Sequence, residues 1–212
     1  AELMGQRASA DPAKPYFTLF DSPVLYGQLW RESERYAAGL RRHGIDRGDK
    51  VCLIFPTCAE FFYTFFGALR LGAIPVPLYP TLGVEATAGI FRDSEAKAVV
   101  TIGWFRTGVD ESAGPAPNVR HVLEPSDLKA DAPVPAFPAI REHDVAFIQY
   151  TSGSTGQPRG VVLTHANVCR TVEFMAEAAH LGREDVVVSW LPLYHDMGLI
   201  GCAFTPPTTG AA

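Results

Sequence analysis

Hydrophobic positions in the first third of the chain follow two patterns in turn. Across residues 23–43 apolar residues recur at helical spacing, and Gly44 follows as a stop signal, which predicts an amphipathic helix. Residues 51–55 form a short continuous apolar run ended by a proline, which is typical of a buried parallel strand. Residues 59–71 are rich in Phe and Leu and end at Gly72, so we expect a helix that packs on two sides.

The same alternation of strand and helix patterns continues further along the chain. We predict a strand at residues 74–78, a helix at 85–96, a strand at 98–102 and a further strand at 119–123. Strands that alternate with helices in this way form a mostly parallel sheet with helices on its faces. The predicted fold class is therefore α/β.

Residues 108–141 show little of the apolar periodicity that predicts packed helices or strands, because proline, alanine and acidic residues dominate there. We interpret the middle of this stretch, residues 111–140, as a surface connection. It joins a first α/β portion, residues 1–110, to a second α/β portion, residues 141–212. In the second portion we predict a strand at 145–150, a helix from about residue 165 to 182 and a strand at 186–190. An apolar segment precedes the last residues, so we expect a truncated chain.

Composition narrows the class of protein. The 212 residues are 47% hydrophobic and 19% charged, with a formal net charge of -5, which indicates a globular protein without the basic face that nucleic acid requires. No apolar run is long enough for a membrane span and no signal-peptide pattern is present, so we expect a cytoplasmic protein. The four cysteines lack metal-binding spacing; we expect neither disulfides nor zinc, and buried thiols at Cys52 and Cys58.

A loop rich in glycine and hydroxyl groups follows the strand predicted at 145–150. Successive backbone N–H groups in such a loop can bind phosphate oxygens, hydroxyls add donors, and an arginine three residues later adds a positive charge. The candidate nucleotide-binding residues are Thr151, Ser152, Gly153, Ser154, Thr155, Gly156 and Arg159. We call residues 151–156 the phosphate loop.

Other phosphate-binding and hydrolytic motifs are absent from the sequence. No Walker A loop, no G-x-G-x-x-G and no G-x-S-x-G can be aligned, which argues against a Walker-type nucleotidase, a dinucleotide binder and an α/β-hydrolase. A flexible Gly/Ser linker is the alternative interpretation of the loop, and its flanking residues argue against it.

Three segments resemble motifs of the adenylate-forming superfamily, which includes acyl-CoA synthetases, peptide-synthetase adenylation domains and luciferases. They are QYTSGSTGQPRGVVLTHAN at 149–167, SWLPLYHDMGLIG at 189–201 and GAIPVPLYP at 72–80. The last two are similar to the form seen in fatty acyl-AMP ligases. The first departs from the family at Arg159, where lysine is usual; arginine keeps the charge and changes its geometry.

The resemblance implies that this chain is the N-terminal part of the large domain of such an enzyme. The phosphate loop and Arg159 would then hold the phosphates of ATP, Mg²⁺ would accompany the nucleotide, and His195 would stand at the acyl end as the catalytic residue. No metal ligand is assigned. Asp196 could touch substrate or cap the helix expected at 197–204, and Tyr194 and Trp190 could line an acyl tunnel or belong to the core.

The activity implied is ATP-dependent activation of a fatty or other carboxylic acid to acyl-AMP, followed by transfer to an acyl carrier protein, often within a polyketide or peptide synthase. An acyl-CoA synthetase that uses coenzyme A is one alternative. A non-catalytic module that binds nucleotide or lipid, or that serves as an interaction domain, is another. The C-terminal lid domain of the family has no counterpart in these 212 residues, so we expect the piece to be inactive alone.

Overall fold

The computed structural model of the protein describes residues 2–129, 136–151 and 158–211. Elements alternate through most of the chain, as the hydrophobic pattern predicts. In chain order they are α1 Glu2–Ala10, β1 Pro15–Leu19, β2 Ser22–Leu25, α2 Tyr26–Arg42, β3 Lys50–Ile54, α3 Ala59–Leu71, β4 Ile74–Leu78, α4 Val84–Asp93, β5 Ala98–Thr101, α5 Gly103–Ala113, β6 His121–Leu123, α6 Pro125–Leu128, β7 Val145–Thr151, β8 Arg159–Thr164, α7 His165–Ala178, a π-helix Met197–Phe204 and α8 Pro206–Thr209.

A four-stranded parallel sheet in the order β4-β3-β5-β6 forms the centre of the first part. Strand β3 is central, and Val51, Cys52 and Leu53 are fully buried in it. A strand covered on both faces needs a continuous apolar run, which is the pattern that this segment has. The predicted α/β fold is confirmed, together with strands at all four of the positions predicted for this sheet.

Helices α2 and α3 pack against each other, and a glycine follows the end of each helix. Gly44 and Gly72 have φ angles of 74° and 71°, in the left-handed region where a side chain is strained. The backbone N–H of Gly72 closes the last turn of α3 on the carbonyl of Leu69 at 3.1 Å. Both glycines were predicted as helix ends from their positions alone.

The second part of the chain shares the core of the first. The ring of Phe147 on β7 lies 5.6 Å from that of Phe65 on α3, and Phe204 of the π-helix lies 5.3 Å from Phe65. Strands β7 and β8 form an antiparallel hairpin in which Thr151 pairs with Arg159. The strand predicted at 145–150 is confirmed, whereas β8 was not predicted.

Two expectations need correction. The strand predicted at residues 186–190 is wrong: this segment is irregular, and Val188 and Trp190 are 85% and 90% exposed. A strand needs a hydrogen-bonded neighbour, and no described strand lies beside this segment.

The stretch at 108–141 also holds more structure than a bare connection, since it contains the end of α5, strand β6 in the sheet and α6. The division at 1–110, 111–140 and 141–212 stays a prediction.

The structure also bears on the expectations for the cysteines and for a membrane span. All four cysteines are free; Cys52 is buried, and its burial raises the pKa of the thiol to about 12, whereas Cys58 is only half-buried. Among the residues that the structure describes, no helix combines the length and apolarity that crossing a membrane would need.

Candidate functional site

A cavity of about 490 Å³ opens at the carboxyl ends of β4 and β7. Ligands in α/β folds bind at this end of the strands, where loops rather than helices cover the sheet edge. Three parts of the chain form its wall: the end of β4 with the following loop and Ile90 of α4, the β7–β8 hairpin, and the segment from Tyr194 into the π-helix. Its lining residues are Pro77, Leu78, Tyr79, Leu82, Ile90, Gln149, Tyr150, Thr151, Pro158, Val161, Leu163, Tyr194, His195, Asp196 and Ile200.

The base of the phosphate loop lies at the mouth of this cavity. Thr151 is the last residue of β7 and lines the cavity, and its cross-strand partner Arg159 begins β8. Both are exposed. Ser152, Gly153, Ser154, Thr155 and Gly156 lie outside the described residues, so their role stays a prediction. Within the described parts of the chain Arg159 makes no ion pair, which leaves its guanidinium available to an anion.

His195 and Asp196 form a polar pair on another side of the cavity. The Nδ1 atom of His195 lies 2.7 Å from Oδ1 of Asp196, and both side chains are more than half exposed. The backbone N–H of Met197 donates to the same carboxylate oxygen at 2.7 Å. Asp196 thus caps the π-helix, as one of the two predicted alternatives has it, and also contacts His195. The same N–H of Met197 also donates to Nδ1 of His195 at 3.3 Å. A neutral imidazole whose Nδ1 accepts a hydrogen bond carries its hydrogen on Nε2, which is left for another partner.

Gln149 connects the hairpin to the segment that carries His195. It is only 4% exposed, and its side-chain Nε2 donates to the backbone carbonyl of Tyr194 at 3.0 Å. A buried amide must have a hydrogen-bond partner, so this contact fixes the distance between the strand and the segment. The phosphate loop begins two residues after Gln149, and His195 follows directly after Tyr194. This one hydrogen bond therefore connects the strand that leads into the predicted phosphate-binding loop to the segment that carries the predicted catalytic histidine.

Two tyrosines separate the main cavity from a smaller one. The rings of Tyr79 and Tyr194 lie 4.8 Å apart, and both residues line the main cavity and a second, apolar cavity of about 190 Å³. Burial, followed by Tyr79, raises the pKa of Tyr194. Trp190 is 90% exposed, so the expectation that it belongs to the core is wrong; it lines neither of these two cavities, and a role in an acyl tunnel stays a prediction.

Several lining residues were not predicted from the sequence. Gln149 has a detectable signal, because a polar residue inside an apolar strand that leads into a loop is unusual. Tyr79 follows a predicted strand end, which is where ligand sites form, and could also have been found. Leu82, Ile90 and Val161 carry no such signal, because their place at the cavity depends on how separate elements pack.

The described residues contain no group of three or more His, Cys, Asp or Glu side chains that could hold a metal ion. Asp196 and His195 alone are too few for a magnesium site, which prefers six oxygen ligands. No ligand set for Mg²⁺ is therefore assigned to this chain, and no step is derived through it.

The chain is similar in sequence to known proteins. The family model described as AMP-binding enzyme matches residues 5–212. The chain is 33% identical over 230 residues to the long-chain-fatty-acid–AMP ligase FadD26 of Mycobacterium marinum and 34% identical over 197 residues to the 4-hydroxyphenylalkanoate adenylyltransferase of the same organism. These alignments cover 98% and 85% of this chain.

Solved structures share the fold. The O-succinylbenzoate coenzyme A synthetase MenE of Bacillus subtilis, solved in complex with ATP and magnesium ion, superposes with a TM-score of 0.88 at 25% identity over 99% of this chain. The chain spans 39% and 31% of the length of the two relatives above and 55% of the MenE chain.

Proposed function

This chain belongs to the family of AMP-binding enzymes, and on that premise we propose that the protein that contains it activates a carboxylic acid with ATP. The carboxylate oxygen attacks the α-phosphorus of ATP, the bond to the β-phosphate oxygen breaks, and acyl-AMP and pyrophosphate are formed. The observation that carries this proposal is that Thr151, at the base of the phosphate loop, and His195 line one cavity.

The protein's part in this reaction is to position the reactants and to offset charge. An in-line displacement at phosphorus needs little covalent help, so catalysis rests on holding the attacking oxygen in line with the leaving group. We assign the phosphates to the loop Thr151–Gly156 and to Arg159, whose guanidinium can make two parallel hydrogen bonds to a phosphate. We assign the acid to the side of the cavity with His195, where an Nε2–H would donate to the attacking carboxylate.

The acid that we propose is a fatty acid. The cavity wall is mostly apolar, with Leu78, Leu82, Ile90, Val161 and Leu163 among its residues, which suits an acyl chain better than a polar acid. One relative is named a long-chain-fatty-acid–AMP ligase, which supports the same class of substrate. The adenylyltransferase relative makes an aromatic acid the first alternative to test.

The acceptor of the acyl group and the location of the enzyme are finer parts of the proposal. We propose transfer to the phosphopantetheine thiol of an acyl carrier protein, by similarity to the fatty-acid–AMP ligase; MenE, a coenzyme A synthetase, supports coenzyme A as the alternative. We place the enzyme in the cytoplasm, where ATP is available and where free thiols such as these four persist. Mg²⁺ would enter as the counter-ion of ATP.

The test is product analysis by mass spectrometry with the protein at its full natural length. Mg-ATP is supplied with fatty acids of several chain lengths and with a 4-hydroxyphenylalkanoate, with and without coenzyme A and a loaded carrier protein. Acyl-AMP that coenzyme A does not consume supports the proposal. Efficient acyl-CoA formation reassigns the acceptor, and no adenylate from any acid leaves a non-catalytic binding module as the better interpretation.

A further inference from the structure

Tyr150 and Asp93 form a contact that the proposed chemistry does not use. The Tyr150 hydroxyl donates a short hydrogen bond to Oδ2 of Asp93. Tyr150 lies on β7, one residue before the base of the phosphate loop, and Asp93 is the last residue of α4, so the contact joins elements 57 residues apart.

Asp93 is placed where a helix disfavours it. The carboxyl end of a helix carries partial negative charge, so an aspartate in the last turn of α4 is repelled, whereas Arg92 beside it is attracted. A residue that breaks a local rule is expected to serve a tertiary contact. Within the described residues, the Tyr150 hydroxyl is the only hydrogen-bond partner of the Asp93 side chain.

The ring of Tyr150 also packs closely against the neighbouring strand. Its cross-strand partner is Gly160, and a Cβ atom on Gly160 would lie 3.1 Å from Cζ and 3.3 Å from the hydroxyl oxygen of Tyr150. The ring therefore covers the space that a side chain at 160 would fill. Burial and, second, Asp93 raise the pKa of Tyr150, so the hydroxyl stays a donor at physiological pH.

Neighbouring strand residues point to opposite faces, so the end of β7 is anchored on both. On one face Gln149 is bound to the Tyr194 carbonyl at 3.0 Å. On the other, Tyr150 is bound to α4, whose Ile90 lines the cavity. The next residue, Thr151, is the last of β7 and begins the phosphate loop.

We propose that Tyr150 and Asp93 are a positioning pair, which fixes the base of the phosphate loop relative to the wall of the acid cavity. The inference rests on the proposed function, since it gives this pair a role in aligning ATP with the acid. The ring of Tyr150 belongs to the cavity wall, whereas its hydroxyl is bound to Asp93, which does not line the cavity. Loss of the pair shifts Thr151 and Arg159 at the hairpin mouth, while the acid side of the cavity keeps its Gln149 contact.

Steady-state kinetics on the full-length protein test the pair. Tyr150→Phe removes the hydroxyl and keeps the ring over Gly160. We expect KM for Mg-ATP to rise about tenfold, with KM for the acid within about twofold, because only the ATP side of the site is displaced. Asp93→Ala should give the same rise. Asp93→Asn keeps an acceptor oxygen and should reverse most of it. The double variant Tyr150→Phe/Asp93→Ala should be no worse than either single change.

Tyr63→Phe is the matched control, because the Tyr63 hydroxyl accepts a hydrogen bond from Gln28 at 3.0 Å and lines neither cavity at the carboxyl ends of the strands. It should leave both KM values unchanged. Losses from Tyr150→Phe and Asp93→Ala that multiply in the double variant would overturn the pair, as would a Tyr150→Phe enzyme with wild-type kinetics or with equal losses toward ATP and the acid.

A readout independent of activity separates this proposal from the proposed function. Hydrogen–deuterium exchange followed by mass spectrometry should show faster exchange in peptides covering 151–160 for Tyr150→Phe and not for Tyr63→Phe. A wild-type protein that makes no acyl-AMP refutes the proposed function while this comparison still decides whether the pair holds the hairpin mouth. Unchanged exchange in Tyr150→Phe refutes the pair even in an active enzyme.

Discussion

The parallel sheet and the β7–β8 hairpin differ in what holds them in place. Strand β3 has a strand on each side and is covered on both faces, with Val51, Cys52 and Leu53 fully buried. Among the described strands β8 pairs only with β7, and its Val161 and Val162 are 45% and 55% exposed. The sheet is fixed by apolar packing, whereas the hairpin that carries the site is fixed at its mouth by a few polar contacts. Substitutions in the sheet and its core should therefore lower the stability of the fold, whereas substitutions at the hairpin and the site should lower activity.

The largest effect is expected from a cavity in the shared core. Phe65 is fully buried between α3 and β7, and Phe65→Ala should lower the free energy of unfolding by about 3–5 kcal/mol through lost burial and a residual cavity. Phe174→Ala removes the same atoms from a side chain that is 70% exposed and should cost less than about 0.5 kcal/mol. Urea denaturation of the 212-residue chain measures both. Similar losses in the two variants would contradict the comparison.

Substitution of His195 should lower activity and leave stability nearly unchanged. His195→Ala should lower kcat for adenylate formation about 100-fold in the full-length enzyme, because it removes a donor to the attacking carboxylate. The midpoint of unfolding should change little, since the side chain is 61% exposed. His143→Ala, at a histidine that is 85% exposed in a loop, is the control for both measurements. Activity retained within threefold in His195→Ala would remove this residue from the proposed site.

Acid should weaken the part of the core next to the hairpin. Burial lowers the pKa of His165, at the start of α7, from 6.5 to about 4. The unfolded chain then binds more protons than the folded chain between these values, so stability is full above about pH 6.5 and falls as the pH drops toward 4. Because the imidazole is partly solvated, we expect a loss of about 1–2 kcal/mol. Urea denaturation at several pH values should show a flatter profile for His165→Gln and an unchanged one for His143→Gln.

The smallest effect concerns Arg159, where lysine is usual in the family. Arg159→Lys keeps the charge and loses the two-pronged geometry, so KM for Mg-ATP should rise by no more than about threefold. Arg159→Ala removes the charge and should raise it about tenfold. Initial rates at varied Mg-ATP decide between them. An unchanged KM in Arg159→Ala would show that the guanidinium does not contact the nucleotide.

The sequence predicts elements well where packing is local. The segments that became β3, α3, β4 and β5 have clear periods and end at Pro or Gly, and the structure places them within a few residues of the expected bounds. The hairpin β1–β2, strand β8 and helix α1 were missed, because short or mixed segments have weak periods. The apolar run at 186–190 predicted a strand, but pairing depends on a neighbour that the local pattern does not contain.

The site shows the same limit. The motifs predict which residues matter, and the structure brings Thr151, Tyr194 and His195 to one cavity. No local pattern could reveal that Gln149 is bound to the Tyr194 carbonyl, or that Tyr150 is bound to Asp93, because each contact joins residues more than 40 positions apart. Such contacts become visible only once the strands are packed.

The packing of Phe204 against Phe65, Phe66 and Phe147 has a consequence for synthesis on the ribosome. Helix α3 leaves the exit tunnel long before Phe204 is made, at a translation rate of about 5–20 residues per second. For roughly 7 to 27 seconds its aromatic face has no final partner, and during that time chaperones that bind exposed apolar segments can bind it. Slow codons between residues 71 and 204 would lengthen that interval and should lower the yield of folded protein.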